Sequence, residues 1–99
     1  MQGKYTKSKR ADHDIRTIII RSMVDFGEAQ TDKYIEGLES ALCELAEAPG
    51  KGRPFVSDRT GQEYSRYRYV SHVIYYRKRQ DDIFIVRILH EKMLPENHL

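Results

Sequence analysis

The sequence contains a single cysteine, Cys43, so no disulfide bond can form within the 99-residue chain. It has no apolar run near the ~20 residues that a membrane-spanning helix needs. The N-terminal residues 1–4 lead into a charged stretch, without the apolar segment of a signal peptide. These absences argue against a disulfide-stabilised secreted protein and against a membrane protein, and they favour a cytoplasmic one.

Charge is unevenly distributed along the chain, although the net charge is only +2. Residues 11–48 carry nine acidic side chains against three basic ones, whereas residues 51–79 carry eight basic against two acidic. A basic second half suggests an acidic partner, and mutual neutralisation of the two halves within the fold is the open alternative. The composition is that of a soluble globular protein, and the length predicts one domain over residues 1–99.

The first half of the chain has the apolar spacing of two helices. The first helix is predicted to begin after Ser8, whose hydroxyl can cap it, and to end at Gly27. The second is predicted over about residues 28–46, because Pro49 and Gly50 stop it. So short a connection predicts an antiparallel helical hairpin. The apolar stripes are Ala11, Ile15, Ile18, Ile19 and Phe26 in the first helix and Tyr34, Ile35, Leu38, Ala41, Leu42 and Leu45 in the second.

The second half of the chain has the pattern of strands. One long strand is predicted from about Tyr64 to Arg77, followed by a turn at Gln80–Asp82 and a second strand from Ile83 to His90. A short strand is also predicted over Lys4–Lys7, and residues 51–60 have a loop-like composition. We therefore predict an α+β fold, with an N-terminal antiparallel helical hairpin packed on a small, mostly antiparallel sheet of three to four strands.

The predicted last strand is apolar on both faces. Strand alternation places Phe84, Val86, Ile88 and His90 on one face, and Ile83, Ile85, Arg87 and Leu89 on the other. Helices can cover only one face, and each apolar side chain kept out of water contributes about 1.5–3 kcal/mol. A contiguous exposed apolar patch is unusual for a monomer, so the uncovered face predicts a protein partner. Coverage by a loop or by the C-terminal tail is the alternative.

Several segments resemble a known protein family. Ser71–Arg77 (SHVIYYR) and Val86–Met93 (VRILHEKM) resemble the strand pair of the ParE branch of the RelE/ParE toxin superfamily. Phe26-Gly27 and Gly52-Arg53 resemble the family's first-helix ending and the loop after its second helix. The resemblance implies the toxin of a bacterial type II toxin–antitoxin, or plasmid-stabilisation, module. It also implies a cognate antitoxin that forms a hetero-oligomer with the toxin, and DNA gyrase as the target.

The predicted functional residues are those of a binding surface. No cofactor, metal ion or small-molecule substrate is expected, and the four histidines lack the spacing of metal ligands. The residues predicted to contact a partner lie on the uncovered strand face, at the strand ends and in the tail. They are Val73, Tyr75, Arg77, Ile83, Ile85, Arg87, Leu89 and Met93.

A sister branch of the superfamily cuts mRNA on the ribosome, and this activity is the alternative prediction. His90, Arg87 and Arg59 could supply a base for the 2′-hydroxyl proton and cations for the phosphate. Glu91 follows His90 where the nuclease relatives tend to have a tyrosine, which favours the non-enzymatic gyrase inhibitor. His90 and His72 lie on the predicted core face, where a structural, hydrogen-bonded histidine is the simpler interpretation. An inactive, protein-binding relative is a third interpretation.

Overall fold

The computed structural model describes residues 4–99 and has the predicted α+β architecture. Its elements are β1 (Tyr5–Lys7), α1 (Lys9–Phe26), α2 (Glu28–Glu47), β2 (Arg53–Val56), β3 (Glu63–Tyr69), β4 (His72–Lys78) and β5 (Ile83–His90). The strands form one sheet in the order β1-β5-β4-β3-β2, in which β1 is parallel to β5 and all other neighbours are antiparallel. The expectation about a signal peptide rests in part on residues 1–3, which lie outside the described part.

The sheet has five strands rather than the predicted three to four. The additional strand, β2, lies within the segment predicted to be a loop. It contains Pro54, which lacks an N–H group and is tolerated because β2 forms the edge of the sheet. Across residues 4–99, neither helix is both long and apolar enough to cross a membrane.

The helical hairpin forms where it was predicted. Gly27 separates the two helices with φ +86°, a conformation open to glycine, and its N–H donates to the Met23 carbonyl at 3.1 Å. The Thr31 hydroxyl donates to Ser22 Oγ at 2.8 Å across the hairpin. Most of the predicted α2 stripe, including Leu38, is buried against the sheet.

Ser8 attaches the start of α1 to the sheet. Its Oγ accepts a hydrogen bond from the Ala11 N–H at 2.9 Å, as predicted for a cap, and donates to the Val86 carbonyl at 2.7 Å. The Ser8 N–H donates to the Ile85 carbonyl at 2.9 Å. The N-terminus of α1 is therefore fixed beside β5.

The predicted long strand is in fact two strands, β3 and β4, joined by a tight turn at Val70 and Ser71. Val70 has φ +48°, which a β-branched residue rarely adopts. A positive φ at the first of two turn residues is the pattern of a type II′ turn, which normally takes glycine there. The single-strand prediction was wrong because valine stands at position 70, where such a turn normally takes glycine, so the strand pattern shows no break there.

A β-bulge in β5 reverses the predicted orientation of its first residues. Tyr75 of β4 pairs with Arg87, and the next residue, Tyr76, pairs with Ile85. Val86 is therefore an extra residue without a partner on β4. Ile83 and Ile85, which precede the bulge, are therefore 0% exposed in the helix-facing core, together with Ile88. Their assignment to an uncovered face was wrong. Side chains alternate between the two faces of a strand, so one extra residue places those before it on the opposite face.

The sheet face turned away from the helices, which we call the open face, is partly covered by the chain itself. Tyr75 and Leu89 on this face are only 3% and 1% exposed. The Tyr75 ring packs edge-on against Phe55, with centroids 5.5 Å apart. The C-terminal segment is held to β5 by Arg87, whose Nη1 donates to the His98 carbonyl at 3.0 Å. The predicted exposed apolar patch is therefore absent at these two positions, where the chain supplies its own cover.

Candidate functional site

A groove of about 800 Å³ lies between α1, the start of α2 and the end of the sheet at the β3–β4 turn. One wall is the side of α1, and the other comes from the turn, the adjoining ends of β4 and β5, and the segment after β5. The lining residues are His13, Asp14, Thr17, Ile18, Arg21, Ser22, Asp25, Phe26, Gln30, Tyr34, Val70, Ser71, His72, Arg87, Ile88, His90 and Met93.

Large apolar side chains are exposed around this groove. Phe26 is 63% exposed, Val70 61% and Met93 38%. Phe26 was predicted in the core stripe of α1, and its exposure corrects that prediction. Exposed apolar side chains gathered around a concave surface are typical of a site that binds another molecule.

Tyr34 holds α2 to the β3–β4 turn at the end of the groove. Its Oη lies 2.7 Å from His72 Nδ1 and accepts a hydrogen bond from the Ser71 N–H at 3.3 Å. The Tyr69 hydroxyl donates to the Tyr34 carbonyl at 2.9 Å, and the two rings pack edge-on at 5.0 Å. Gly37 makes this packing possible, because a Cβ there would clash with the Tyr69 hydroxyl. The strained turn is therefore fixed by α2.

Two histidines face each other across β4 and β5 at this end of the sheet. His72 pairs with His90, and their ring centroids are 5.3 Å apart. Burial, and then the nearby His90, lower the pKa of His72 to about 4, so its imidazole is neutral at physiological pH. His90 Nδ1 accepts a hydrogen bond from the Lys92 N–H at 3.2 Å. The prediction of a hydrogen-bonded His72 is confirmed by its contact with Tyr34.

Asp14 and Arg87 form an ion pair where α1 meets β5. Arg87 Nε and Nη2 donate to the two Asp14 carboxylate oxygens at 2.8 and 2.9 Å. Asp14, which is 9% exposed, also accepts the Ile88 N–H at 2.9 Å. The hydrogen bonds that Arg87 donates to Asp14 raise the pKa of Arg87. The guanidinium therefore joins α1, β5 and the C-terminal segment instead of pointing freely towards a ligand.

The residues predicted to contact a partner are dispersed over the molecule. Arg87 and Met93 line the groove, whereas Arg77 is exposed and Val73 is half-buried in β4. The other four predicted residues are buried within the chain: Tyr75, Ile83, Ile85 and Leu89.

The three residues predicted for ribonuclease chemistry are not assembled into one site. Arg87 and His90 both line the groove. Arg59 is absent from its lining and donates instead to the backbone oxygen of Leu99. Among residues 4–99, no cluster of three or more metal-ligating side chains is present.

The sequence-based prediction missed most of the groove. Tyr34 and His72 are 38 positions apart, so no local pattern indicates that they meet. A signal was available at Phe26, which directly precedes the helix-ending Gly27 and can therefore overhang the end of α1. Val70, an apolar residue in a turn, is recognisable only once the turn itself is known.

Comparisons with known proteins agree with this architecture. Residues 5–95 match the family model described as ParE toxin of type II toxin-antitoxin system, parDE. The chain is 35% identical over 95 residues to toxin ParE1 of Caulobacter vibrioides, covering 96% of both chains. It is also similar in fold to a solved structure described as a chromosomal ParDE TA system from P. aeruginosa, with a TM-score of 0.71 and 17% identity, over 90% of this chain and 96% of that one. The chain therefore belongs to the ParE toxin family of type II toxin–antitoxin systems.

Proposed function

We propose that this toxin is neutralised by a cognate antitoxin whose amphipathic helix docks in the groove, and that the free toxin inhibits DNA gyrase. The observation that carries the docking proposal is the apolar rim of the groove, formed by Phe26, Val70 and Met93. Membership of a toxin–antitoxin family supports an antitoxin as the occupant.

The dimensions of the groove suit one face of a helix. A helix with its side chains is about 10–12 Å wide, so half of its cross-section occupies roughly 50 Å². A groove of about 800 Å³ then accepts half of a helix about three turns long. Its apolar residues would meet Phe26 and Val70, while its polar flank would meet Arg21 and Asp25 on α1. This is the usual way in which an amphipathic helix is recognised.

The contribution of Phe26 can be worked out from its exposure. A buried aromatic side chain covers about 150–250 Å², and 63% of this residue is accessible to an incoming helix. Burial of roughly 125 Å² at about 25 cal/mol per Å² gives close to 3 kcal/mol. Because alanine retains part of that contact, Phe26→Ala is expected to weaken antitoxin binding by about 2–3 kcal/mol, or roughly 30- to 150-fold.

Val24→Ala is the matched control for this experiment. Val24 is 80% exposed, lies on the same final turns of α1 and does not line the groove. Both variants remove an exposed apolar side chain, so both should remain folded. Calorimetric titration of each variant with the antitoxin encoded beside the toxin should show the loss for Phe26→Ala alone. Equal affinities for the two variants would contradict docking in the groove.

Family membership supports the gyrase part of the proposal. Ribonuclease chemistry would require a free base and free cations around one phosphate. Arg87 is held by Asp14, and Arg59 by the backbone oxygen of Leu99, so neither cation is available in this arrangement. We therefore propose a toxin that acts by binding its target.

A further inference from the structure

Three arginines on neighbouring strands form a cluster on the open face of the sheet. Arg53 on β2 lies directly opposite Arg66 on β3, and Arg66 lies opposite Tyr75 on β4. Arg77 is two residues beyond Tyr75 and therefore projects from the same face as a diagonal neighbour of Arg66. Like charges placed directly opposite each other destabilise a sheet. The fold nevertheless holds these three cations together.

These three arginines are not neutralised by the chain. All three are exposed, and within residues 4–99 none of them takes part in an ion pair. Arg68, which lies two residues beyond Arg66 on the same face, is paired with Glu91 at 3.0 Å. The strand residues that share this face in β2, β3 and β4 include no aspartate or glutamate. The positive charge is therefore available to an anion.

Aromatic rings position two of the guanidinium groups. The Arg66 guanidinium lies 5.5 Å from the centroid of the Phe55 ring, and that of Arg77 lies 5.8 Å from the Phe84 ring. Arg66 also lies within hydrogen-bonding reach of the Tyr75 hydroxyl. Because a guanidinium has five N–H donors, stacking fixes its plane and leaves further N–H groups for an oxygen ligand. The rings themselves are half-buried, so the surface presents charge and not flat faces on which bases could stack.

We propose that the open face binds the phosphate backbone of duplex DNA without sequence preference, with Arg53, Arg66 and Arg77 at its centre. Guanidinium groups match phosphate oxygens in geometry, and duplex DNA has about one negative charge per 1.7 Å of axis. The exposed polar groups of the cluster are all guanidiniums, which suit phosphates and provide no acceptor for a ribose 2′-hydroxyl. This binding is separate from antitoxin docking, because none of the three arginines lines the groove.

The test is fluorescence anisotropy of a labelled mixed-sequence DNA duplex titrated with the full chain between about 50 and about 200 mM salt. A triple variant, Arg53→Gln with Arg66→Gln and Arg77→Gln, should reduce the slope of log affinity against log salt by about 2.7, since each phosphate contact contributes about 0.9. The single variant Arg53→Gln should reduce it by about 0.9.

A second triple variant provides the control for net charge. Arg10→Gln, Arg16→Gln and Lys33→Gln remove the same charge from exposed positions on the two helices. They should leave the slope within a few tenths of that of the unmodified chain. The open-face triple should unfold at a temperature close to that of the unmodified chain, because relief of the repulsion between Arg53 and Arg66 offsets the loss of the two cation–π contacts.

Several results would overturn the proposal. Absence of binding at about 50 mM salt would do so, as would an equal loss of slope in both triple variants. Polyglutamate that displaces the duplex as effectively as unlabelled DNA would assign the face to acidic proteins. Tighter binding of duplex RNA than of duplex DNA would assign it to RNA.

Discussion

The Asp14–Arg87 ion pair gives the sharpest test of how the helices are joined to the sheet. Replacing Asp14 by alanine would leave the Arg87 guanidinium with the His98 carbonyl as its remaining partner, and the Ile88 N–H without its acceptor. Removing one partner of a buried ion pair costs about 3–5 kcal/mol. For a domain of this size, that loss lowers the melting temperature by about 12–40 °C.

Asp12→Ala is the natural control for Asp14→Ala. Asp12 lies in the same helix and pairs with Lys7 at 3.3 Å, but both side chains are more than a third exposed. A surface pair of this kind contributes about 0–1 kcal/mol, so the control should be close to the unmodified chain. Urea denaturation followed by far-ultraviolet circular dichroism measures both variants.

A double-mutant cycle isolates the interaction between the two charged groups. Asp14→Ala and Arg87→Met together should cost less than the sum of the single changes, by about 1.5–3 kcal/mol. If the two changes are additive, or if Asp14→Ala is no more damaging than Asp12→Ala, the structural role assigned to Arg87 is refuted.

Three further predictions concern the turn, the histidine pair and the core. Val70→Gly relieves a positive φ and should raise the free energy of unfolding by about 1 kcal/mol; a lower melting temperature would contradict the strain. The unfolded chain binds a proton at His72 near pH 6.5 and the folded chain only near 4, so stability should fall as the pH drops through this interval. The full pKa shift corresponds to about 3 kcal/mol, and solvent screening of this half-exposed ring reduces the expected loss of stability to roughly 1–2 kcal/mol. Urea titrations at a series of pH values should show this loss in the unmodified chain and not in His72→Gln. Ile85→Asp should abolish the native circular dichroism spectrum, because Ile85 is 0% exposed in the core. A variant that keeps the native spectrum would contradict the placement of Ile85 in the core and favour the open face.

The helical hairpin was predictable because its signals are local. The Ser8 cap, the spacing of the apolar stripe of α2 and the glycine at position 27 each act within a few residues of the chain. The turn at Gln80–Asp82 was predictable for the same reason, and Arg79 holds it by donating to both Asp82 oxygens at 2.6 Å.

The features that were mispredicted depend on contacts between distant parts of the chain. The bulge at Val86 follows from the pairing of β4 with β5 and from the bond that Ser8 donates to the Val86 carbonyl, 78 positions away in sequence. A single extra residue then exchanged the two faces of the strand and made Ile85 a core residue. The strained turn at Val70 is likewise maintained by Tyr34 of α2, which strand periodicity cannot indicate.

A DNA gyrase supercoiling assay tests both the proposed activity of the free toxin and its proposed neutralisation. Purified toxin should slow supercoiling of relaxed plasmid, and the proposed cognate antitoxin should restore the rate when added in equimolar amount. In parallel, ribosome-bound mRNA should stay intact. Normal supercoiling together with cleaved mRNA would contradict the proposed function.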